Sequence, residues 1–295
     1  MQFSIFQESR RGSRKSNQDR IAYCYSKDAL LLMVADGMGG HLHGEIAARI
    51  AVQFVTEAFR REATPALPDP ALFLRRSITG AHHAIIEHAT EGGLAEAPRT
   101  TCVACVVQEG AACWAHAGDS RLYHIRDGRI LAQTKDHSFV QHLIDRGRIR
   151  EEAFAAHPDR NRIYSCLGSA RQPQVNLSEA VRLNAGDTLL VCSDGLWGPL
   201  SSKIICSALL NDGIMQAVPE LLDEAERRAG RQCDNLSVIA LTWEEDTQAA
   251  QPDKAPARPE QGPAGAQNGY LSDDEIERAI AEIRNAIKRP PNGKT

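Results

Sequence analysis

Long apolar runs and a strong net charge of either sign are both missing from this sequence. No segment of about 18 or more apolar residues occurs, and the opening residues MQFSIFQESRRGSRK lack the charged-then-apolar order of a signal peptide. We therefore predict a cytoplasmic protein with no membrane partner. The formal net charge of -4 argues against a nucleic-acid partner, and the few basic residues near the start do not change that expectation.

Several catalytic signatures are also missing. A cysteine nucleophile that attacks phosphorus needs C-x5-R, and Cys166 reaches Arg171 one residue too soon. No G-x-x-x-x-G-K-[ST] loop is present, which argues against a nucleotide-driven kinase or ATPase. The EF-hand calcium pattern is absent. A two-metal nuclease would need a basic groove, and the net charge provides none.

The eight cysteines sit mostly inside apolar runs, where a free thiol behaves as a small hydrophobic residue. We expect reduced core thiols and no disulfides. Cys102 and Cys105 have C-x-x-C spacing, but residues three apart in a strand face opposite sides of a sheet. This geometry argues against a zinc site at that pair.

The first part of the chain predicts a strand and two helices. Residues 29–35 form an apolar run that stops at Asp36-Gly37, as expected for a buried strand that ends in a turn. Residues 44–61 predict a helix whose single apolar stripe combines Ile46, Ile50, Phe54 and Ala58 with Ala47, Ala51 and Val55 beside them. Apolar residues at helical spacing over 74–89 predict a second helix.

The remaining elements predict antiparallel sheet covered by helices. Three apolar runs within residues 100–131 are separated by QEGA, GDS and RDGR, which predicts an antiparallel meander. The connections are too short for parallel crossovers, which need about a dozen residues. The segments DTLLVCSDG and DNLSVIALTW predict two more strands, separated by helical stretches that include residues 214–228. This order of elements predicts an α+β layered domain.

The composition changes near residue 244. Residues 244–270 are rich in Pro, Ala, Gly and Gln without apolar periodicity, which indicates a flexible linker. Residues 271–289 carry isoleucines at helical spacing behind a capping box of Ser272 and Glu275, which predicts an amphipathic helix. One helix with a single apolar stripe is marginal in isolation. Three alternatives remain for this helix: it docks on the preceding domain, it binds a partner or a second copy, or it frays.

Aspartates recur beside Gly, Ser or Asn at the ends of the predicted strands. A single Asp-Gly is only a turn signal. Several carboxylates gathered at one sheet edge, however, form a negative pocket that is unfavourable unless cations neutralise it. Hard carboxylate and carbonyl oxygens favour magnesium or manganese over zinc or copper. The aspartates concerned are Asp36, Asp119, Asp194 and Asp234, and Asp19 in RKSNQDR joins them.

These aspartates lie within a series of short motifs. The motifs are R-x-x-N-Q-D (14–19), DGMGGHLHGE (36–45), GDSR (118–121), KDHS (135–138), CLGS (166–169), SDGLW (193–197) and DNLSV (234–238). The set resembles the bacterial metal-dependent (type 2C, PPM) serine/threonine protein phosphatases. Each motif alone is weak, but the set is specific because it follows the family's order and spacing over residues 1–243. The resemblance implies a catalytic domain built as a four-layer α-β-β-α sandwich of two antiparallel sheets flanked by helices, with metals in the cleft between the sheets.

The resemblance also implies a ligand set for two core Mn2+ or Mg2+ ions. Asp36 would bridge both ions, the carbonyl of Gly37 would bind one of them, and Asp194 and Asp234 would bind the other. A bridged pair would lower the pKa of a shared water toward neutrality, so that hydroxide attacks phosphorus without a protein nucleophile.

Three further residues take roles from the same resemblance. Asp19 matches a position that holds metal-bound water, and Asp119 matches a ligand of a more weakly held third ion. Arg14 matches the arginine that grips the substrate phosphate, a role suited to a planar guanidinium that can bind two oxygens at once.

The sequence departs from the family pattern at two positions. Members with D-G-H-G-G carry a histidine that is thought to protonate the leaving oxygen, and Met38 stands there instead. His41 is the predicted replacement, with His43 and metal-bound water as the alternatives. Gln18 stands where an acidic residue is frequent, which is expected to weaken one metal site.

The implied activity is hydrolysis of phosphoserine and phosphothreonine on proteins, in opposition to a bacterial Ser/Thr kinase. Some compact members of the family act with a kinase that controls type VI secretion, which suggests one candidate pathway. Residues 148–162 correspond to a flap beside the family's active site. The alternative from another class is a catalytically silent phosphoprotein-binding module of the same fold, which the intact Arg14, Asp36, Asp194 and Asp234 disfavour.

Overall fold

Two antiparallel sheets form the centre of the computed structural model, which describes residues 1–38, 43–154 and 157–244. The predicted proton donor His41, the linker beyond Glu244 and the predicted helix over 271–289 lie outside the described residues. Within the described ranges, every helix is too short or too polar to cross a bilayer.

The strands divide between the sheets in an order that differs from their order in the chain, and all pairings are antiparallel. Sheet 1 contains β1 (Gln2–Arg10), β11 (Leu236–Glu244), β10 (Thr188–Cys192), β6 (Arg121–Arg126) and β7 (Arg129–Gln133), in that spatial order. Sheet 2 contains β2 (Arg20–Tyr25), β3 (Ala29–Ala35), β4 (Cys102–Gln108), β5 (Ala111–Ala117) and β8 (Asn176–Leu177), and β9 (Val181–Arg182) also pairs with β5.

Helices cover the outer face of each sheet. Sheet 2 is covered by α1 (Gly44–Glu62) and α2 (Pro70–Glu91). Sheet 1 is covered by α4 (Asp194–Trp197), α5 (Ser202–Asn211) and α6 (Ile214–Ala229). A third apolar cluster fills the space between the sheets. The predicted four-layer α-β-β-α sandwich is therefore confirmed. The remaining short helices are α3 (Phe139–Asp145) and two 3-10 turns, Glu151–Ala153 and Gly230–Gln232.

The continuous apolar run of β3 follows from its position between two layers. Leu31 and Met33 contact the cluster under α1 and α2, whereas Leu32 faces sheet 1. A strand buried on both faces needs apolar residues at every position. Cys102 and Cys105 divide in the same way, one to each face of β4, so the prediction of opposite faces is confirmed. All eight cysteines are buried free thiols, as expected.

The predicted meander is wrong at the GDS turn. β4 and β5 form a hairpin in sheet 2, but β6 belongs to sheet 1, where it pairs with β10 and β7. Gly118 makes the crossing possible, because it has a φ of +116° and a Cβ added there would lie 2.6 Å from the Thr101 side chain. Turn composition alone cannot distinguish a hairpin from a crossing between sheets, since the partner strand is decided by residues far along the chain.

The predicted apolar stripe of α1 is also partly wrong. Ala47, Ala51 and Val55 are buried against sheet 2, whereas Phe54 is 38% exposed. The small alanines let α1 approach the sheet closely. Phe54 lies instead over α2, where its ring would be 2.6 Å from a Cβ added at Gly80. The helical period and the face that enters the core were predicted correctly, apart from Phe54.

Replacing Gly118 by alanine should destabilise the fold through the crossing between the sheets. The added methyl group meets Thr101 in a backbone conformation that L residues rarely adopt, so we expect a loss of more than about 2 kcal/mol in the free energy of unfolding. Gly93→Ala is the matched control, because Gly93 has a φ of +62° and open space around its added Cβ. The control should lose about 1 kcal/mol. Equal losses in urea denaturation would contradict a steric requirement at Gly118.

Candidate metal centre

The aspartates predicted as ligands all lie next to strand ends. Antiparallel pairing places the end of one strand beside the start of its neighbour. Arg20 at the start of β2 pairs with Ala35 at the end of β3, and Cys192 at the end of β10 pairs with Val238 near the start of β11. These ends meet at one edge of the sandwich. The aspartates placed there are Asp19, Asp36 and Asp119 from sheet 2 and Asp194 and Asp234 from sheet 1.

Glycines allow the loops that carry these aspartates to come close together. A Cβ added at Gly195 would lie 2.0 Å from the carbonyl oxygen of Asn235, so the loops of Asp194 and Asp234 are in backbone contact. A Cβ added at Gly37 would lie 2.7 Å from the carbonyl oxygen of Gln18, which brings the turn after β3 against the loop of Asp19. Side chains at either glycine would therefore push the carboxylates apart.

Asp19 connects the two sheets. Its carboxyl group is 2% exposed, and its Oδ2 accepts a hydrogen bond of 2.7 Å from the hydroxyl group of Ser193. Ser193 in turn accepts a hydrogen bond from the backbone N–H of Ser237. The other oxygen, Oδ1 of Asp19, is buried without a hydrogen-bond partner among the described residues. A buried carboxylate oxygen of this kind is energetically costly unless a cation or a water binds it.

Asp36 lies at the centre of the group. Its carboxyl group is within hydrogen-bonding reach of both Asp19 and Asp194. Burial raises the pKa of Asp36 well above its usual value, and the negative charges of Asp19 and Asp194 raise it further. Carboxyl groups this close must share protons or cations, because like charges at short range cannot all remain ionised.

The pKa values of the neighbouring carboxyl groups are raised as well. Burial raises the pKa of Asp194 to about 7, with further contributions from Asp234 and Asp19. Burial raises the pKa of Asp19 to about 6, an effect that the hydrogen bond from Ser193 reduces. The pKa of Asp119 is raised well above the usual range by burial and then by Asp194. Titration of these groups is therefore coupled across the whole cluster.

The donor set suits hard divalent cations. Among the described residues, the ligands predicted for this site are carboxylate oxygens and a backbone carbonyl, a donor set that favours Mg2+ or Mn2+. The buried Oδ1 of Asp19 and the crowding around Asp36 are features that a bound cation would stabilise. The groups meet in pairs: among the described residues, no three His, Cys, Asp or Glu side chains already converge at coordinating distances. Binding two ions therefore requires side-chain adjustment, chiefly at Asp234.

Arg14 engages Asp234 directly. Its Nε donates to Oδ1 at 2.8 Å and its Nη2 donates to Oδ2 at 2.5 Å, which is a two-pronged ion pair. The side chain of Arg14 is 57% exposed, so the guanidinium group lies at the mouth of the acidic cluster. The structure thus brings the predicted phosphate-binding residue to the predicted ligands. It also gives that residue a carboxylate partner, which the sequence did not indicate.

Asn235 holds the loop of Arg14 in place, and sequence reasoning gave it no role. Its Nδ2 donates to the carbonyl oxygens of Arg11 and Ser16, and its Oδ1 accepts from the backbone N–H of Gln18. The asparagine in DNLSV was visible in the sequence, but only the fold reveals which segment it binds. The hydrogen bond from Ser193 to Asp19 could not be predicted for the same reason.

Asp119 is held by a stack of side chains from three motifs. The indole Nε1 of Trp197 donates to the backbone carbonyl of Asp119 at 3.0 Å. The guanidinium group of Arg121 lies 3.6 Å from the centroid of the Trp197 ring and forms a paired hydrogen bond with Asp136. The ring of Phe154, in the segment predicted as a flap, contacts Trp197 edge-on at 5.9 Å. The stack therefore joins the predicted flap to the loop of Asp119.

The loop with the predicted proton donor is only partly described. Residues 39–42, including His41, lie outside the described residues. His43 precedes α1, is 47% exposed, and places its Nδ1 3.9 Å from the carboxylate of Glu45. Gln18, which departs from the family pattern, donates to Glu45 at 3.1 Å. Glu45 is thus an acidic residue beside the position where the sequence lacks one.

Stability of chelator-treated protein should fall as the pH rises. The folded carboxyl groups of Asp19 and Asp194 have pKa values of about 6 and about 7, whereas unfolded aspartates titrate near about 3.9. The folded state therefore binds more protons in this window, so the free energy of unfolding decreases from about pH 4 to about pH 7, by several kcal/mol.

Added manganese should reverse that slope, because the ions bind deprotonated carboxylates. Urea unfolding at several pH values, with EDTA and with manganese, measures both trends. Asp194→Asn should flatten the slope in EDTA. A stability that rises with pH in EDTA would contradict the electrostatic description of the cluster.

Comparison with known proteins agrees with this geometry. The family model described as protein phosphatase 2C matches residues 6–227. The serine/threonine protein phosphatase PstP of Mycobacterium tuberculosis is 32% identical over 299 residues, which cover 97% of this chain and 54% of PstP. The chain therefore spans about half the length of this curated relative.

Two solved structures add to the comparison. The catalytic domain of PstP in complex with two manganese ions is 30% identical, with a TM-score of 0.70 over 82% of this chain and 99% of that one. PppA of Pseudomonas aeruginosa, described as a key regulatory component of T6SS, is 27% identical, with a TM-score of 0.66 over 81% of this chain and 97% of that one. By its sequence match, its fold and its motifs, this chain belongs to the protein phosphatase 2C family.

Proposed function

We propose that the chain hydrolyses phosphoserine and phosphothreonine on proteins, with manganese or magnesium as cofactor. The observation that carries the proposal is the acidic cluster, in which Asp36 reaches both Asp19 and Asp194 while Arg14 stands at its mouth. A strongly anionic pocket beside an arginine suits cations and a phosphate group, and a phosphate would not enter it without the cations.

The ligand roles follow the family pattern. Asp36 and the carbonyl of Gly37 would hold one ion, and Asp36 with Asp194 and Asp234 would hold the second. Asp119 would contribute to a third. Two bound ions supply positive charge against the phosphate and a water that ionises near neutral pH. The remaining catalytic work consists of positioning and electrostatic stabilisation by the protein's own side chains.

Arg14 would bind two equatorial oxygens of the substrate phosphate. The Nε and Nη2 atoms that donate to the two oxygens of Asp234 in the structure could donate in the same way to two oxygens of a phosphate. Binding substrate therefore requires Arg14 to exchange one anionic partner for another, which frees both oxygens of Asp234. Asn235 limits the movement of the loop during this exchange, because it holds the backbone on both sides of Arg14.

A proton for the leaving serine or threonine oxygen would come from the loop after Asp36. His41 is our proposed donor, as the sequence suggested, and His43 is the second candidate. His43 precedes the first turn of α1, is 47% exposed, and has its Nδ1 3.9 Å from the carboxylate of Glu45. Separate substitution of each histidine by glutamine would identify the donor through loss of the basic limb of the pH–rate profile.

Manganese-dependent hydrolysis of a phosphothreonine peptide tests the proposed activity. Asp36→Asn should lower kcat by about a hundredfold or more, since it removes the central ligand. Arg14→Lys should lower kcat/KM by about tenfold to a hundredfold, because an ammonium group cannot bind two oxygens in parallel. Asp127→Asn, the same chemical change at an exposed hairpin residue, is the matched control and should have no effect.

A different result would favour the binding module. If the unaltered protein bound the phosphopeptide but released no phosphate at saturating manganese, the enzymatic proposal would be wrong. Activity that persisted in excess chelator would contradict the metal requirement.

We further propose that the substrates are targets of a bacterial Ser/Thr kinase, with components of type VI secretion as the first candidates. The support is the similarity to PppA at 27% identity over most of both chains. Phosphoproteomics of cells with and without the gene should show increased phosphorylation of secretion components when the enzyme is missing. A gene for an Asp36→Asn variant should fail to restore the original level. Unchanged phosphorylation of those components would contradict this assignment.

A further inference from the structure

We propose that three exposed cations beside Arg14, here called the cationic rim, select phosphopeptides with acidic or additional phosphorylated residues next to the residue that is hydrolysed. The rim consists of Arg11, Lys15 and Arg231. This inference rests on the proposed phosphatase function and extends it to the class of substrate.

The fold brings the two segments of the rim together. The backbone N–H of Ser13 donates to the carbonyl oxygen of Cys233 at 3.0 Å, and its hydroxyl group donates to the carbonyl oxygen of Gly230 at 3.0 Å. A Cβ added at Gly12 would lie 2.1 Å from the carbonyl oxygen of Asp234. The segment that contains Arg11, Arg14 and Lys15 is therefore fixed against the one that contains Arg231 and Asp234.

The charges of the rim are uncompensated. Arg11, Lys15 and Arg231 are all exposed, and none of them has an ion-pair partner among the described residues. Neighbouring arginines differ in this respect. Arg10 binds Glu8, Asp223 and Glu226, and both Arg227 and Arg228 bind Glu224. Because the whole chain has a net charge of -4, this group of cations without ion-pair partners is not a consequence of a basic composition.

The position of the rim decides what it can recognise. Arg14 would hold the phosphate that is hydrolysed, so groups around it meet the residues that flank the phosphorylated one. Surface charges act over about 8 to 10 Å at ordinary salt, a distance that covers a few residues of an extended peptide. A substrate with acidic flanking residues would be attracted, and one with basic flanking residues would be repelled.

Turnover of three phosphothreonine peptides tests this inference. The peptides have the same length and carry acidic, neutral or lysine residues on both sides of phosphothreonine. We expect kcat/KM to be about tenfold higher for the acidic peptide than for the lysine peptide, and the difference to shrink in high salt. The triple variant R11E/K15E/R231E should abolish or invert the preference. The rate at which this variant hydrolyses p-nitrophenyl phosphate, which has no flanking residues, should stay within about twofold of the rate of the unaltered protein.

Arg129→Glu is the matched control for charge reversal. Arg129 is exposed and pairs with Arg126 at the end of β6 away from the aspartates, so the control should keep the preference. Fluorescence anisotropy with non-hydrolysable phosphonate analogues of the three peptides and the unaltered protein in manganese measures the preference without turnover. A failure of the phosphatase proposal would appear as absent turnover of p-nitrophenyl phosphate, whereas binding would still report on the rim. Equal affinity for all three peptides, or a preference that survives in the triple variant, would overturn the inference.

Discussion

Mutual repulsion among buried carboxyl groups is the constraint on which the rest of this structure depends. Asp36 lies within hydrogen-bonding reach of two other aspartates, and burial raises the pKa values of the group. Such an arrangement does not stabilise a fold by itself. The absence of a side chain at Gly37 and Gly195 lets the loops that carry the aspartates come into close contact despite this repulsion. The energetic cost is thus concentrated at the place where cations would relieve it.

Neither sheet could provide this cluster alone. Asp19, Asp36 and Asp119 belong to sheet 2, whereas Asp194 and Asp234 belong to sheet 1. The hydrogen bond from Ser193 to Asp19 and the crossing at Gly118 hold the two sheets in register at this edge. Correct packing of the apolar layer between the sheets is therefore a condition for the site. Damage to that layer would affect ion binding before any ligand is changed.

The sequence predicted the parts of the fold that depend on local pattern. The buried strand β3, both helices before residue 100 and the placement of aspartates at strand ends all follow from periodicity and turn chemistry. The prediction of a meander is wrong at Gly118 because long-range packing determines which strands pair. Phe54 was misplaced because a helical period does not identify which apolar residues fit against a sheet. The bond from Ser193 to Asp19 and the bonds of Asn235 could not be predicted, since they join segments more than 170 residues apart.

In the proposed function, Asp234 and the substrate phosphate would compete for the guanidinium group of Arg14. The same guanidinium group serves a carboxylate in the structure and would serve a phosphate during hydrolysis. An arginine that is already paired with a carboxylate binds substrate less tightly than a free one. The same pairing neutralises the exposed carboxylate, which would otherwise repel an approaching anion. Cations that bind Asp234 would release Arg14 at the moment when the cleft becomes positive enough to accept a phosphate. Metal binding and substrate binding are then linked through one side chain, without any larger conformational change.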